Sequence, residues 1–248
     1  MLCAEPSILR PRHGGPSAVL VRSAANEAQQ RELYAALCDA AGGSHEWRAL
    51  SQSQPSASER PYPLCVWRHP YTQQTNARHK PTQVLDWAHA FAASLASRLR
   101  DDGLVEEPIA AAIDEAKYDS LLSVLYAPAG TLRSHTDTDL HGYGLALSLG
   151  AACAFDFGGT EVELRSGDAL LADFGRVRHA VRATLPAAQS APAWWLGAHN
   201  FGRDRCSLQL RDRAWGRRPH PTMPDSWVRR TVRRVEPGGH NTETPRLS

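Results

Sequence analysis

Leu121-Leu122-Ser123-Val124-Leu125-Tyr126, ended by Ala127-Pro128-Ala129-Gly130, is where the apolar period of this chain changes from helical to β. Before it, Leu33, Ala36, Leu37 and Ala40 recur at helical spacing and predict a helix over 26–41, closed by Gly42-Gly43. Leu85, Ala88, Phe91, Ala92, Leu95 and Leu99 form the stripe of a second helix over 84–99. After it come short apolar or alternating runs at 144–149, 154–157, 161–164, 168–174, 180–184 and 206–210, punctuated by Gly158-Gly159 and similar turns. Such a series builds a barrel or a double-sheet jelly roll. Helices first and strands afterwards give an α+β chain with its N-terminal helices packed on one face of the sheets.

The flanks read differently. Pro6, Pro11, Gly14, Gly15 and Pro16 break any period, so residues 1–24 are expected to be a flexible lead-in. A serine- and proline-rich stretch over 51–64 reads as a linker, and Pro186–Pro192 as an inserted loop. One domain over 25–215 is expected, followed by a basic, flexible tail over 216–248.

The chain has 248 residues, 42% of them hydrophobic, enough for one sizeable core. It has no apolar run of 18 residues, and no membrane partner is expected. Cys3, Cys38, Cys65, Cys153 and Cys206 are an odd number without a CxxC pair, which argues against a zinc ribbon or a disulfide framework and for an intracellular, reducing compartment. Nucleus or cytoplasm is the expected address, and the Arg-bearing, acid-poor start keeps a mitochondrial one open. Net charge is only +2, yet Arg211, Arg213, Arg217, Arg218, Arg229, Arg230, Arg233 and Arg234 crowd the C-terminal end. They suit a phosphate-facing surface or a solvated tail equally.

Chemistry enters with His135-Thr136-Asp137 and the distant His179. Two residues apart on a strand, His135 and Asp137 face one side, and His179 at the start of another strand lies near the same barrel mouth. Two imidazoles and a carboxylate make the facial donor set of non-haem Fe(II), with open positions left over. The competing reading is ordinary polar residues at strand ends. Arg205, Ser207 and Arg211 share one face of the last strand by the period of two. A guanidinium inside a barrel requires an anion, and the distal carboxylate of a keto acid is one. For Arg211 a salt bridge to Asp212 or another acid is the alternative, and Tyr126 can offer its hydroxyl to the same ligand.

Taken together, Tyr126-Ala127-Pro128, His135-x-Asp137-x-Asp139, Leu147-Ser148-Leu149-Gly150, Phe155-x-Phe157-Gly158-Gly159, Ser166-Gly167-Asp168, Arg176-x-x-His179 and Arg205-x₅-Arg211 resemble the AlkB-type dioxygenases dependent on Fe(II) and 2-oxoglutarate. With Gln74-Thr75-Asn76, the resemblance spans roughly 60–212. It implies a double-stranded β-helix core with a nucleotide-recognition lid about 60–82. It implies iron on His135, Asp137 and His179, and 2-oxoglutarate on Tyr126 and Arg205, with O₂ as co-substrate. Arg211 would line the cofactor pocket beside the metal ligands, and Asp139 would orient the substrate base. Val124 and Ser207 stand where the family often has Asn, removing hydrogen bonds to the keto acid.

The implied reaction is oxidative removal of methyl groups from bases of DNA or RNA, single strands favoured, with no obligate protein partner. Trp67, His69 and Tyr71, interleaved with Arg68, Arg78 and Lys80, fit a stacking and phosphate-holding lid or, alternatively, the core of the lid's own hairpin. The same chemistry on a protein or small molecule, with Trp194 and Trp195 shaping a different pocket, and a catalytically silent nucleic-acid-binding barrel are the other readings.

Overall fold

Alternation along β11 (Arg205–Arg211) organises the molecule. Its even residues Cys206, Leu208 and Leu210 pack with the helices, while the odd residues Arg205, Ser207 and Arg211 are buried on the opposite face. The computed structural model describes residues 5–40, 62–68 (main chain only), 80–126, 129–137, 140, 142–198 and 205–212.

The strands form two antiparallel sheets. The larger contains β1 (Pro6–Leu9), β2 (Ala18–Val21), β9 (Ala169–Ala172), β6 (Gly144–Gly150), β11, β4 (Ser120–Tyr126) and β3 (Tyr62–Arg68), in that spatial order. The smaller runs β5 (Leu132–His135), β10 (His179–Thr184), β7 (Cys153–Phe157), β8 (Thr160–Leu164). Neighbours in space come from distant parts of the sequence, as in a jelly roll, and the sheets enclose Leu20, Val124, Tyr126, Phe155, Phe157, Leu170, Phe174 and Val181.

The outer face of the large sheet is covered by α1 (Glu27–Ala40) and α2 (Thr82–Asp101), with α3 (Glu107–Asp114) beside α2. The stripe of α2 is wholly buried, from Val84 and Leu85 through Leu95 to Leu99. Both helices lie within one or two residues of their expected bounds. The α+β jelly roll with helices on one face is therefore the observed architecture.

Three expectations change. Residues 6–21 are not a flexible lead-in: β1 and β2 extend the large sheet, and Ala18–Val21 are buried. Of the residues that suggested disorder, Pro6 opens β1, and Pro11, Gly14, Gly15 and Pro16 lie in the connection between the two strands. Pro186–Pro192 is not a plain loop either, since α4 (Ala187–Ser190) lies within it and α5 (Ala193–Ala198) follows it. Trp194 and Trp195 on α5 are buried rather than set around a different pocket. They belong to the helix-side core, where Trp195 meets Tyr34 edge-on at 5.2 Å and Arg31 covers Trp194. The expected tail 216–248 and most of the 60–82 segment lie outside the described residues.

Candidate active site

The site lies at the end of the barrel where β5, β10 and β7 come into register. His179 stands opposite His135 on one side and Phe157 on the other. Two residues on, Val181 pairs with Leu132 rather than Arg133, so β5 carries one extra residue between the pairs. This bulge turns both Leu132 and His135 inward and leaves Arg133 and Ser134 exposed. Arg178 closes it, donating from Nη2 to the Ser134 carbonyl at 2.7 Å and from Nε to its Oγ at 3.3 Å.

One ligand atom each from His135, Asp137 and His179 lie within 4.8 Å of one another. Nε2 of His135 is 3.4 Å, and that of His179 3.6 Å, from Asp137 Oδ1. Each ring turns its other nitrogen to a carbonyl oxygen two residues back, Arg133 at 2.8 Å and Val177 at 3.1 Å. A carbonyl only accepts, so Nδ1 carries the proton and the Nε2 lone pairs converge beside the carboxylate. This is a donor set that holds Fe(II).

The surroundings tune these groups. His179 is buried between Phe155 and Phe174, and desolvation pushes its pKa from 6.5 down to about 4. His135 is more open, and its hydrogen bond to Asp137 raises it. Burial pushes Asp137 upward, but the Arg211 guanidinium and both imidazoles outweigh it and hold the carboxyl well below the usual range.

Arg211 reaches Asp137 from the far sheet, Nε to Oδ2 at 2.7 Å. Its Nη1 donates to the carbonyls of Leu145 and Leu210, Nη2 to Gln209, and its plane lies 4.1 Å from the Phe174 ring centre. Its acid is thus the triad's own carboxylate. Gly144 makes room: a Cβ there would stand 2.8 Å from Arg211 Cδ and 3.0 Å from Phe174.

Arg205 is different. It is 2% exposed, lies 4.8 Å over the Tyr126 ring and donates from Nε to Ser148 Oγ at 3.2 Å, yet among the described residues its buried Nη1 has no partner. A buried guanidinium nitrogen left unsatisfied costs several kcal/mol unless an anion meets it. Burial pushes the Tyr126 phenol up to about 12, keeping it a neutral donor. Ser207 stands in the same interior row, between Val124 and Ser148.

Of the expected substrate residues, Asp139, His69, Tyr71 and Arg78 lie outside the described residues, as do the side chains of Trp67 and Arg68. The main chain does place Trp67 opposite Leu121 and Arg68 opposite Ser120, which in turn pairs with Arg211. Lys80 is exposed just before α2. Sequence reasoning missed Ser148, Phe174, Gly144 and Arg178. The bulge alone had a local signal, because Leu132 and His135 are three apart and cannot share a face of a regular strand.

A jelly roll that holds two histidines and a carboxylate at its mouth, with a buried guanidinium in the same interior, is the class of site present. Among solved structures the chain is similar to OsALKBH1, at 18% identity over 81% of this chain and all of that one, with a TM-score of 0.59. The two share a fold. A 2OG-Fe(II) oxygenase family protein from Burkholderia pseudomallei overlaps more loosely, at 11% identity, 79% of this chain and 84% of that one, with a TM-score of 0.44. No family model matches the chain. A curated relative from Acanthamoeba polyphaga mimivirus, "Probable lanosterol 14-alpha demethylase", is 27% identical over 201 residues, 79% of this chain but 26% of that protein. The chain spans about a quarter of that relative's length.

Proposed function

We propose that this protein is an AlkB-type dioxygenase, dependent on Fe(II) and 2-oxoglutarate, that removes methyl groups from nucleic-acid bases. The observation that carries the reading is the pairing of the His135–Asp137–His179 cluster with the unpartnered Arg205 Nη1 inside one barrel. The donor set fits Fe(II), and the orphan nitrogen fits the distal carboxylate of a keto acid. OsALKBH1, whose fold the chain shares, supports the assignment to this class.

In this reading His135, Asp137 and His179 hold the metal, and Arg205 with the Tyr126 hydroxyl holds 2-oxoglutarate. When bound with O₂, this pair supplies oxidative decarboxylation to succinate and CO₂ coupled to C–H hydroxylation, which on an N-methyl group releases formaldehyde. The chain's own residues prepare the site. The Arg133 and Val177 carbonyls fix the imidazole tautomers, Arg211 keeps Asp137 ionised and aimed, and Phe155 and Phe174 keep water from His179.

Trp67, Arg68, His69, Tyr71 and Arg78 hold the base and its phosphates, and Asp139 orients the base beside the metal. The register of Arg68 with Ser120 and Arg211 supports a lid at this end of the barrel. The substrate is alkylated single-stranded DNA or RNA, met in a reducing intracellular compartment.

The test is mass spectrometry of methylated oligonucleotides incubated with protein, Fe(II), ascorbate and 2-oxoglutarate. Loss of methyl groups with formation of succinate, absent in His135→Ala, is the expected result. Succinate formation with every oligonucleotide intact would move the same chemistry to another substrate. Failure to bind Fe(II) anaerobically would overturn the reading altogether.

A further inference from the structure

The segment Arg10–His13 is a docked strap. Its Arg12 and His13 amides both donate to the Gly158 carbonyl, at 2.8 and 3.2 Å, and Thr160 Oγ1 donates to the Arg10 carbonyl at 2.7 Å. The turn beneath is cut to receive it. Gly158 and Gly159 have φ of +56° and +84°, and a Cβ on the first would collide with Pro11, on the second with the His13 ring. Gly158 in turn donates to the Arg178 carbonyl at 2.8 Å, and Arg178 reaches Ser134. Arg12, Gly158, Arg178 and Ser134 therefore form one line across the small sheet, beside the row Phe157–His179–His135. Three steps of about 4.8 Å give it a length of roughly 14 Å.

This line is basic. Arg10, Arg12, Arg133 and Arg178 are exposed, and among the described residues no carboxylate pairs with any of them. The nearby acids are engaged: Asp156 accepts from Arg182 at 2.8 Å and from the Gly159 amide, and Asp173 accepts from the Arg176 amide. Glu161, on β8 beside Arg182, is the exception. Guanidinium groups with no carboxylate partner among the described residues, two of them on a docked main chain beside the His135–Asp137–His179 cluster, suit a strand of regularly spaced anions.

We infer that the strap and the adjoining Arg133–Arg178 rim form a track for the phosphates of a single-stranded nucleic acid flanking the base presented to His135 and His179. The inference rests on the substrate reading above, but its test does not. Binding of an unmodified fluorescent single-stranded oligonucleotide is followed by anisotropy as salt rises. Arg10→Gln/Arg12→Gln is the variant of choice, because Arg178 also supports His135. Arg98→Gln/Arg100→Gln, on the helical layer, removes the same net charge.

Each lost phosphate contact lowers the slope of log affinity against log salt by about 0.7, so the strap variant should lose about 1.4. Its affinity should fall between 50 and 200 mM salt by a factor about 7 smaller than that of the natural protein. The helical variant should keep the natural slope, and all three should bind Fe(II) alike. An unchanged slope in the strap variant, an equal loss in the helical variant, or no binding by the natural protein overturns the track. Methyl loss from oligonucleotides is scored separately, so a failed track and a failed substrate reading are told apart.

Discussion

Arg211 Nε and Asp137 Oδ2 stand 2.7 Å apart across the barrel, joining the last strand to the loop after β5. The pair is largely buried, with side chains 5% and 17% exposed, so either charge left without the other is costly. Arg211→Met should weaken Fe(II) binding about 10- to 100-fold, the usual cost of losing a partner that orients a ligand. It should also move the acid limb of metal binding toward neutral pH, since Asp137 loses the cation that holds its carboxyl down. Anaerobic Fe(II) titrations at several pH values check both, and an unmoved limb would sink the account.

Arg205→Met should separate cofactor binding from folding. Removing a buried, partly unsatisfied guanidinium relieves the apo-protein, so its melting temperature should hold or rise. Stabilisation by added 2-oxoglutarate, expected in the natural protein, should vanish, and the KM for the keto acid should rise about 10- to 100-fold, the loss of a charge-assisted contact worth roughly 1.5–3 kcal/mol. Thermal melts with and without 2-oxoglutarate decide it; equal shifts in both proteins would count against Arg205 as the anchor.

The metal-free protein should lose stability as pH falls from about 6.5 to about 4. His179 resists a proton in the folded state that the unfolded chain accepts, so its contribution is present above pH 6.5 and lost progressively down to its folded value. A shift of this size corresponds to roughly 3 kcal/mol. Asp137 adds a loss in the same direction at lower pH, whereas the raised His135 opposes it. Denaturant titrations at pH 7, 5.5 and 4.5 should show the decline, and His179→Asn should flatten it.

Arg178→Ala should open the bulge that aims His135. The Ser134 carbonyl loses its donor, and Fe(II) affinity should fall about tenfold while the fold persists. Lys, which also donates, should restore most of it. If metal affinity is unchanged in the Ala variant, the bulge holds itself and Arg178 serves the rim alone. Gly144→Ala tests the opposite sheet: a methyl group there forces Arg211 off Asp137 and should reproduce the Arg211→Met phenotype.

The sequence by itself determined the two long helices, most strands after Leu121 and the donor types. The period of two after Leu121 and the stripe along Val84–Leu99 are local properties, and both became the expected strands and helix. The two-residue spacing of His135 and Asp137, with His179 opening another strand, already proposed the cluster. Tertiary structure decided what joins these parts. That Arg211 meets Asp137, 74 residues away, depends on which sheet faces which, and no local pattern encodes that. That residues 6–21 are strands depends on an open edge at β9, since four-residue strands have too little apolar period to declare themselves. Trp194 and Trp195 went to the helix-side core because only the packed chain offers them a face to cover. Local periodicity fixes what a segment can form; burial against distant segments fixes where it goes and which charges meet.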